Sequence, residues 1–306
     1  MWNLAFEPPV IIKARELTRL PAAFRQPRIS EWSAANKPGQ AIDSFLEGPS
    51  FDRDGNLYLT DIPFGRIFKV APDNQWTLVA EYDGWPNGLA LHRDGALWIA
   101  DYRSGLLKLD PTSGAMTPIL ATRNSEGFKG LNDLTFDARG QLYFTDQGQT
   151  GLHDPTGCVY RLASDGRLDR LIDNAPSPNG VALDRDGRFL FVAVTRANAV
   201  WRGPLLADGS VSKVGAFRTF FGASGPDGLA VDQDNRLVVA HASLDAAFVL
   251  NSRGEVTHVV RAPADSTITN VAFRPGTSQL VLTASNSGVV LQAELPAPGA
   301  RLFSHL

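Results

Sequence analysis

The sequence predicts an all-β fold, a six-bladed β-propeller with four-stranded antiparallel blades around a central channel. Three observations predict it. First, one line of sequence recurs: EGPSFDRDGNLYLTD (47–61), NGLALHRDGALWIAD (87–101), NDLTFDARGQLYFTD (132–146), NGVALDRDGRFLFVA (179–193), DGLAVDQDNRLVVAH (227–241) and a worn copy, TNVAFRPGTSQLVLT (269–283). Second, the copies start about 40 to 48 residues apart, the length of one propeller blade. Third, short apolar runs alternate with Asp, Gly, Asn and Pro throughout, and no long amphipathic helix stands out.

In chain order, residues 1–45 form an N-terminal extension placed to lend an outer strand to the sixth blade, with a short helical turn around ARELTRLPAAF (14–24). Each copy then reads as a short strand, a tight turn and a longer strand, the Asp-Gly, Arg-Gly or Asp-Asn pairs supplying the positive φ of the turn. The third and fourth strands fit between copies: RIFKVAPD (66–73) and WTLVAEYD (76–83) in the first, AVWRGPL (199–205) and VGAFRTF (214–220) in the fourth. One ring uses nearly all of the chain, so residues 1–306 read as a single domain. DRDGN (52–56) is a hairpin turn and not a calcium loop: an EF-hand needs Gly at its sixth position and Glu at its twelfth, whereas Gly55 is fourth and Pro63 twelfth.

Composition narrows the function classes. With 43% hydrophobic and 20% charged residues and a net charge of −3, the chain has no basic field for nucleic acid or anionic lipid. Its one cysteine, Cys158, allows neither an intramolecular disulfide nor a Cys-rich zinc site and reads as a buried strand residue. The start, MWNLAFEPPVIIKAR, lacks the basic and apolar regions of a secretory leader, and no apolar stretch has the ~18 residues of a membrane span. The expectation is a cytoplasmic protein with no nucleic-acid or membrane partner; nothing declares its oligomeric state.

The first residue of each copy carries the chemistry. Aligned, these are Glu47, Asn87, Asn132, Asn179, Asp227 and Thr269. The inner strand of a blade lines the channel, so six polar side chains converge at one end of the axis. Asn-Gly and Asp-Gly are also ordinary turn formers, but Glu is not, and the column is polar in every copy. Two carboxylates aimed at one axis repel unless a cation or a proton lies between them. With amide carbonyls they make a hard, all-oxygen set suited to Ca²⁺, with Mg²⁺ or Mn²⁺ as alternatives; no His or Cys stands in the column to favour zinc.

Glu47, Asn132, Asn179 and Asp227 at the inner-strand entries, with the stretches YFTDQGQTGLHDPTGCVYRL and PNGVALDRDGRFLFVAVTRANAVWR, resemble the senescence-marker-protein/gluconolactonase/luciferin-regenerating-enzyme family, particularly its bacterial sugar-lactonase and drug-responsive lactonase branches. The resemblance runs from about residue 45 to 295. It implies a six-bladed propeller with one catalytic divalent ion, usually calcium or zinc, hydrolysing lactones. Carried over by position, it makes Glu47, Asn179 and Asp227 metal ligands, and Asn132 a ligand or a partner of the substrate carbonyl. Some members hold sugar hydroxyls with an Arg two residues before that Asn; here Gly130 stands there, with Lys129 beside it.

The expected function is divalent-metal-dependent hydrolysis of a small lactone, a sugar-acid lactone first. The metal polarises the carbonyl, and either Asp227 takes the proton of the attacking water or a metal-bound hydroxide is the nucleophile. Asn132, Lys129, Asn87, Tyr102 and Gln147 are candidates for substrate binding, with Arg196 also near the mouth. Two alternatives share the scaffold: a hydrolase of phosphotriesters or other esters using the same site, and a non-catalytic propeller that presents a binding face. Other hydrolytic machinery is missing, since GASGP (222–226) is not a nucleophile elbow and no HExxH occurs. His241 stands where other copies place Asp61, Asp101 and Asp146, and this column reads as strand-end capping.

Overall fold

A computed structural model describes residues 7–306 and shows the six-bladed propeller. Residues 1–6, including the first part of the N-terminal extension, lie outside the described residues. The inner strands are Leu46–Phe51, Pro86–Leu91, Leu131–Phe136, Pro178–Leu183, Pro226–Val231 and Ile268–Phe273. Each pairs antiparallel with the second strand of its own blade. Blades 1 to 5 complete themselves in sequence order. The fourth strand of blade 6 is Arg15–Arg19, paired antiparallel with Val289–Glu294. Val10–Lys13 adds a fifth, parallel strand to blade 5 against Val256–Arg261.

The core consists of six apolar clusters, each spanning the junction between two neighbouring blades. The second strand of each blade is covered on both faces, so its side chains alternate between two junctions. Leu57 and Leu59 face blade 6, while Tyr58 between them faces blade 2. This two-sided burial is why these strands read as unbroken apolar runs.

At the axis the inner strands crowd together. The hydroxyls of Thr60, Thr145, Thr195 and Ser285 each donate to a carbonyl of the next blade's inner strand, at Asn87, Asn179, Pro226 and Leu46, over 2.6–2.9 Å. In four of the six blades glycine follows the polar first residue for the same reason: a Cβ on Gly180 would lie 2.2 Å from the Asp227 carbonyl oxygen. The register of every inner strand breaks at its entry, as a β-bulge does. With the break, Glu47, Asn87, Asn132, Asn179 and Asp227 face the channel mouth.

The extension differs from its sequence reading. Arg15–Arg19 is a strand, followed by a single 3₁₀ turn, Ala22–Phe24. The unpaired edge of blade 6 supplies hydrogen bonds that an isolated helical turn lacks, and Leu17 packs at the junction of blades 6 and 1. The one α-helix among the described residues is Glu31–Asn36, started by a reciprocal capping box between Ser30 and Ser33. No helix is long and apolar enough to cross a membrane among the described residues.

Asp61, Asp101 and Asp146 are buried at the ends of second strands and cap neighbouring backbone. Asp61 accepts from the Phe45 amide at 2.7 Å and Asp146 from the Gly130 amide at 2.8 Å. Asp101 accepts from the Arg103 and Ser104 amides. Arg66 pairs with Asp61, both buried, and also donates to the Phe24 and Asp43 carbonyls, binding the extension to blade 1. Replacing Arg66 with Leu strands the Asp61 carboxylate, and chemical denaturation should show a loss of about 3–5 kcal/mol; a loss under 1 kcal/mol would mean that the pair does not hold this junction together.

His241 is fully buried, with Nε2 3.2 Å from Asn198 Oδ1 and the ring against Phe220. Burial pushes its pKa down to about 4, so the unfolded chain binds a proton that the folded protein rejects. This group's contribution is therefore intact above the ordinary histidine value of about 6.5 and lost as pH falls toward 4. His241→Gln should flatten the stability–pH profile across that window, by up to about 3 kcal/mol relative to the parent in urea titrations.

Candidate active site

The polar residues that open the inner strands meet at one mouth of the channel, around a pocket of about 130 Å³. Glu47, Asn87, Asn132, Asn179 and Asp227 line it together with Tyr102 and Gln147. Lys129 stands apart, exposed, with its side chain against Gly148. Arg196 is also exposed and outside the lining, though its charge reaches Asp227. Thr269 lies outside the lining; its hydroxyl joins those of Thr283 and Ser285 and hydrogen-bonds the Glu47 carboxylate.

Burial raises the pKa of Glu47, opposed by hydrogen bonds to its carboxylate. Its Oε2 accepts from the Gly48 amide and from Asn270 Nδ2, both at 2.8 Å. Asp227 is held well above the carboxylate range by burial and by the charges of Glu47 and Asp133, opposed by a hydrogen bond from Asn179. Asp133 is likewise pushed up to about 7 by burial, the Leu134 amide opposing. No Lys or Arg lies within ion-pair distance of these three carboxylates among the described residues.

Asn132 donates to Gln147 Oε1 at 2.8 Å, which leaves its own carbonyl oxygen free to face the pocket. Gln147 donates in turn to Ser177 Oγ at 2.9 Å, so this amide pair is oriented from behind. Among the described residues no group of three or more His, Cys, Asp or Glu side chains is arranged to hold a metal ion. The candidate set is mixed: two carboxylates, Glu47 and Asp227, with the amide oxygens of Asn132 and Asn179. Unbalanced anionic charge and hard oxygen donors fit a divalent cation of the calcium type.

The rim is aromatic on one side and amide-bearing on the other. Trp32 and Asn36 of the helix Glu31–Asn36 reach the pocket together with Phe45, Ile62 and Trp85. Trp85 packs on Tyr102 with ring centres 5.5 Å apart, and the Tyr102 hydroxyl accepts from Gln149 at 3.1 Å. The Tyr102 ring occupies the space above Gly130, where a Cβ would lie 2.4 Å from it. A side chain at position 130 and the Tyr102 ring exclude one another.

Sequence reasoning missed Asp133 and Asn270. Both break the glycine column that follows the first residue of the other copies, and this was the readable signal. It also missed Trp32 and Asn36, for no repeat predicts what a non-repeating extension will cover.

Residues 45–286 match the profile of the SMP-30/Gluconolactonase/LRE-like region. Lactonase drp35 of Staphylococcus haemolyticus (strain JCSC1435) is 33% identical over 254 residues, covering 78% of this chain and 77% of that protein. Among solved structures, a gluconolactonase from Xanthomonas campestris superposes with a TM-score of 0.74 at 22% identity, over 92% of this chain and 99% of that one. A calcium-binding protein, regucalcin, from Agrobacterium tumefaciens strain C58 gives 0.75 at 20% identity, over 98% and 99%.

Proposed function

We propose, from the premise that the chain belongs to the SMP-30/gluconolactonase/LRE-like family, that it hydrolyses small lactones at the polar mouth of its channel with one divalent cation. The observation that carries the reading is the meeting of Glu47 and Asp227 with three asparagines in one pocket, without a basic side chain to balance them. Glu47, Asn179, Asp227 and Asn132 would hold the cation, calcium before zinc, manganese or magnesium. When bound, it supplies Lewis-acid polarisation of the lactone carbonyl.

The chain's own residues do the rest. Asp227, beside the attacking water, takes its proton. Glu47, fixed by the Gly48 amide and Asn270, holds its position and does not turn over a proton. Asn132 and Gln147 orient the ring oxygens of the substrate, and Trp85 and Tyr102 exclude water from one face. A pocket of about 130 Å³ suits a small ligand such as a monocyclic lactone.

The test is proton release from a panel of aldonolactones and unsubstituted lactones, with protein stripped by chelator and reloaded with Ca²⁺, Zn²⁺, Mn²⁺ or Mg²⁺. Activity should vanish on stripping, return with Ca²⁺, and fall about a hundredfold or more in Asp227→Ala. Full activity after stripping would sink the metal reading, and no hydrolysis of any lactone would sink the reaction. Asn270→Leu, which removes the donor that fixes Glu47, should weaken Ca²⁺ binding about 10–100-fold by calorimetry.

A further inference from the structure

The pocket at the channel mouth, of about 130 Å³, is small beside the ~300–1,000 Å³ of clefts that hold drug-sized ligands. On the side of blades 2 and 3 it is confined by one ring. Tyr102 lines the pocket, whereas Gly130, directly behind that ring, does not. The packing is so close that a Cβ on Gly130 would meet three ring carbons of Tyr102 at 2.4–2.6 Å.

Both partners in this contact are held in place. Gly130 has a φ of +151°, a conformation that residues with side chains rarely adopt. Its amide donates to Asp146 Oδ1 at 2.8 Å, and its carbonyl accepts from the Gln147 and Gly148 amides at 2.9 and 3.0 Å. The backbone behind the ring is thus fixed from blade 3.

The ring itself is fixed from two blades. Asp101 accepts from the Tyr82 hydroxyl and from the Arg103 and Ser104 amides, which pins the turn that presents Tyr102. The Tyr102 amide donates to the Trp85 carbonyl at 3.0 Å, and the two rings pack with centres 5.5 Å apart. From the loop of blade 3, Gln149 donates to the Tyr102 hydroxyl at 3.1 Å. A side chain locked by packing and by hydrogen bonds is a wall that a ligand cannot push aside cheaply. Without the ring, the pocket would gain a recess floored by the Gly130 backbone.

We propose that Tyr102 is the specificity-determining residue of this site: it confines the substrates to single-ring lactones and excludes those with a second ring fused alongside. The proposal rests on the lactonase reading above and deepens it. A fused benzene ring adds several carbons in the plane of the lactone, and even one methylene changes the fit of a rigid pocket about 10–200-fold.

Hydrolysis of matched pairs tests it: γ-butyrolactone against phthalide, and δ-valerolactone against dihydrocoumarin. In the parent, KM for each fused lactone should be at least about tenfold above that of its single-ring counterpart. The fused-to-single ratio of kcat/KM is then compared between proteins, so that intrinsic reactivity cancels. Tyr102→Ala should raise that ratio about tenfold or more, through KM, while Tyr102→Phe, which keeps the ring, should leave it within about twofold. Where Tyr102→Ala does not fold or is inactive, Tyr102→Leu and the parent KM values decide. Equal KM values in the parent, an unchanged ratio in the alanine variant, or an equal rise in the phenylalanine variant would each overturn the proposal and leave the lactonase reading standing. Hydrolysis of no lactone by the parent would sink both.

Discussion

The structure depends on how closely six strands approach one axis. At that distance a backbone carbonyl has no room for water, and hydroxyls of the preceding blade take its place at Asn87, Asn179, Pro226 and Leu46. The same crowding forbids a Cβ at Gly180 and accompanies the break in register at each strand entry. The tight ring therefore fixes both the scaffold and the direction of the polar side chains. Rigid inward aim comes from packing that has no catalytic purpose of its own.

That aim sets up an electrostatic conflict. Glu47, Asp133 and Asp227 sit where water is scarce and raise one another's proton affinity. Natural cores rarely keep such groups without a partner, because an unpaired buried charge costs several kcal/mol. Elsewhere in this molecule the conflict is resolved: Asp61 has Arg66, and Asp101 has the Tyr82 hydroxyl and two amides. At the channel mouth three buried carboxylates gather with no Lys or Arg within ion-pair distance among the described residues.

Much of this was legible in the sequence because the repeat states it six times. The strand–turn–strand line, the blade spacing and the polar first column each follow from a local rule applied in register. Glu47, Asn87, Asn132, Asn179 and Asp227 could be aligned before any coordinates, and Tyr102 and Gln147 lay close by in sequence. What escaped was non-repeating. Leu17 packs as part of a strand only because a distant edge is vacant. Trp32 reaches the pocket because Arg66 and Asp61 hold the extension down. Asn270 touches Glu47 only through ring closure, across 223 residues of chain. Lys129, adjacent to the site in sequence, faces solvent, since neighbours in a loop need not share a direction.

The pairing of the chain's two ends also bears on time. Val10–Lys13 and Arg15–Arg19 are synthesised long before their partners, Val256–Arg261 and Val289–Glu294. Blades 1 to 5 each hold their four antiparallel strands in sequence order and can condense as they appear. The sixth waits, with its edge open, until Val289–Glu294 and Arg15–Arg19 meet. Such non-local pairing is intrinsically slow. The extension that supplies the sixth blade's last strand also carries Trp32 and Asn36 to the pocket. Closure of the ring and completion of the pocket thus become one event, and the pocket takes its final lining only when Arg15–Arg19 has met Val289–Glu294.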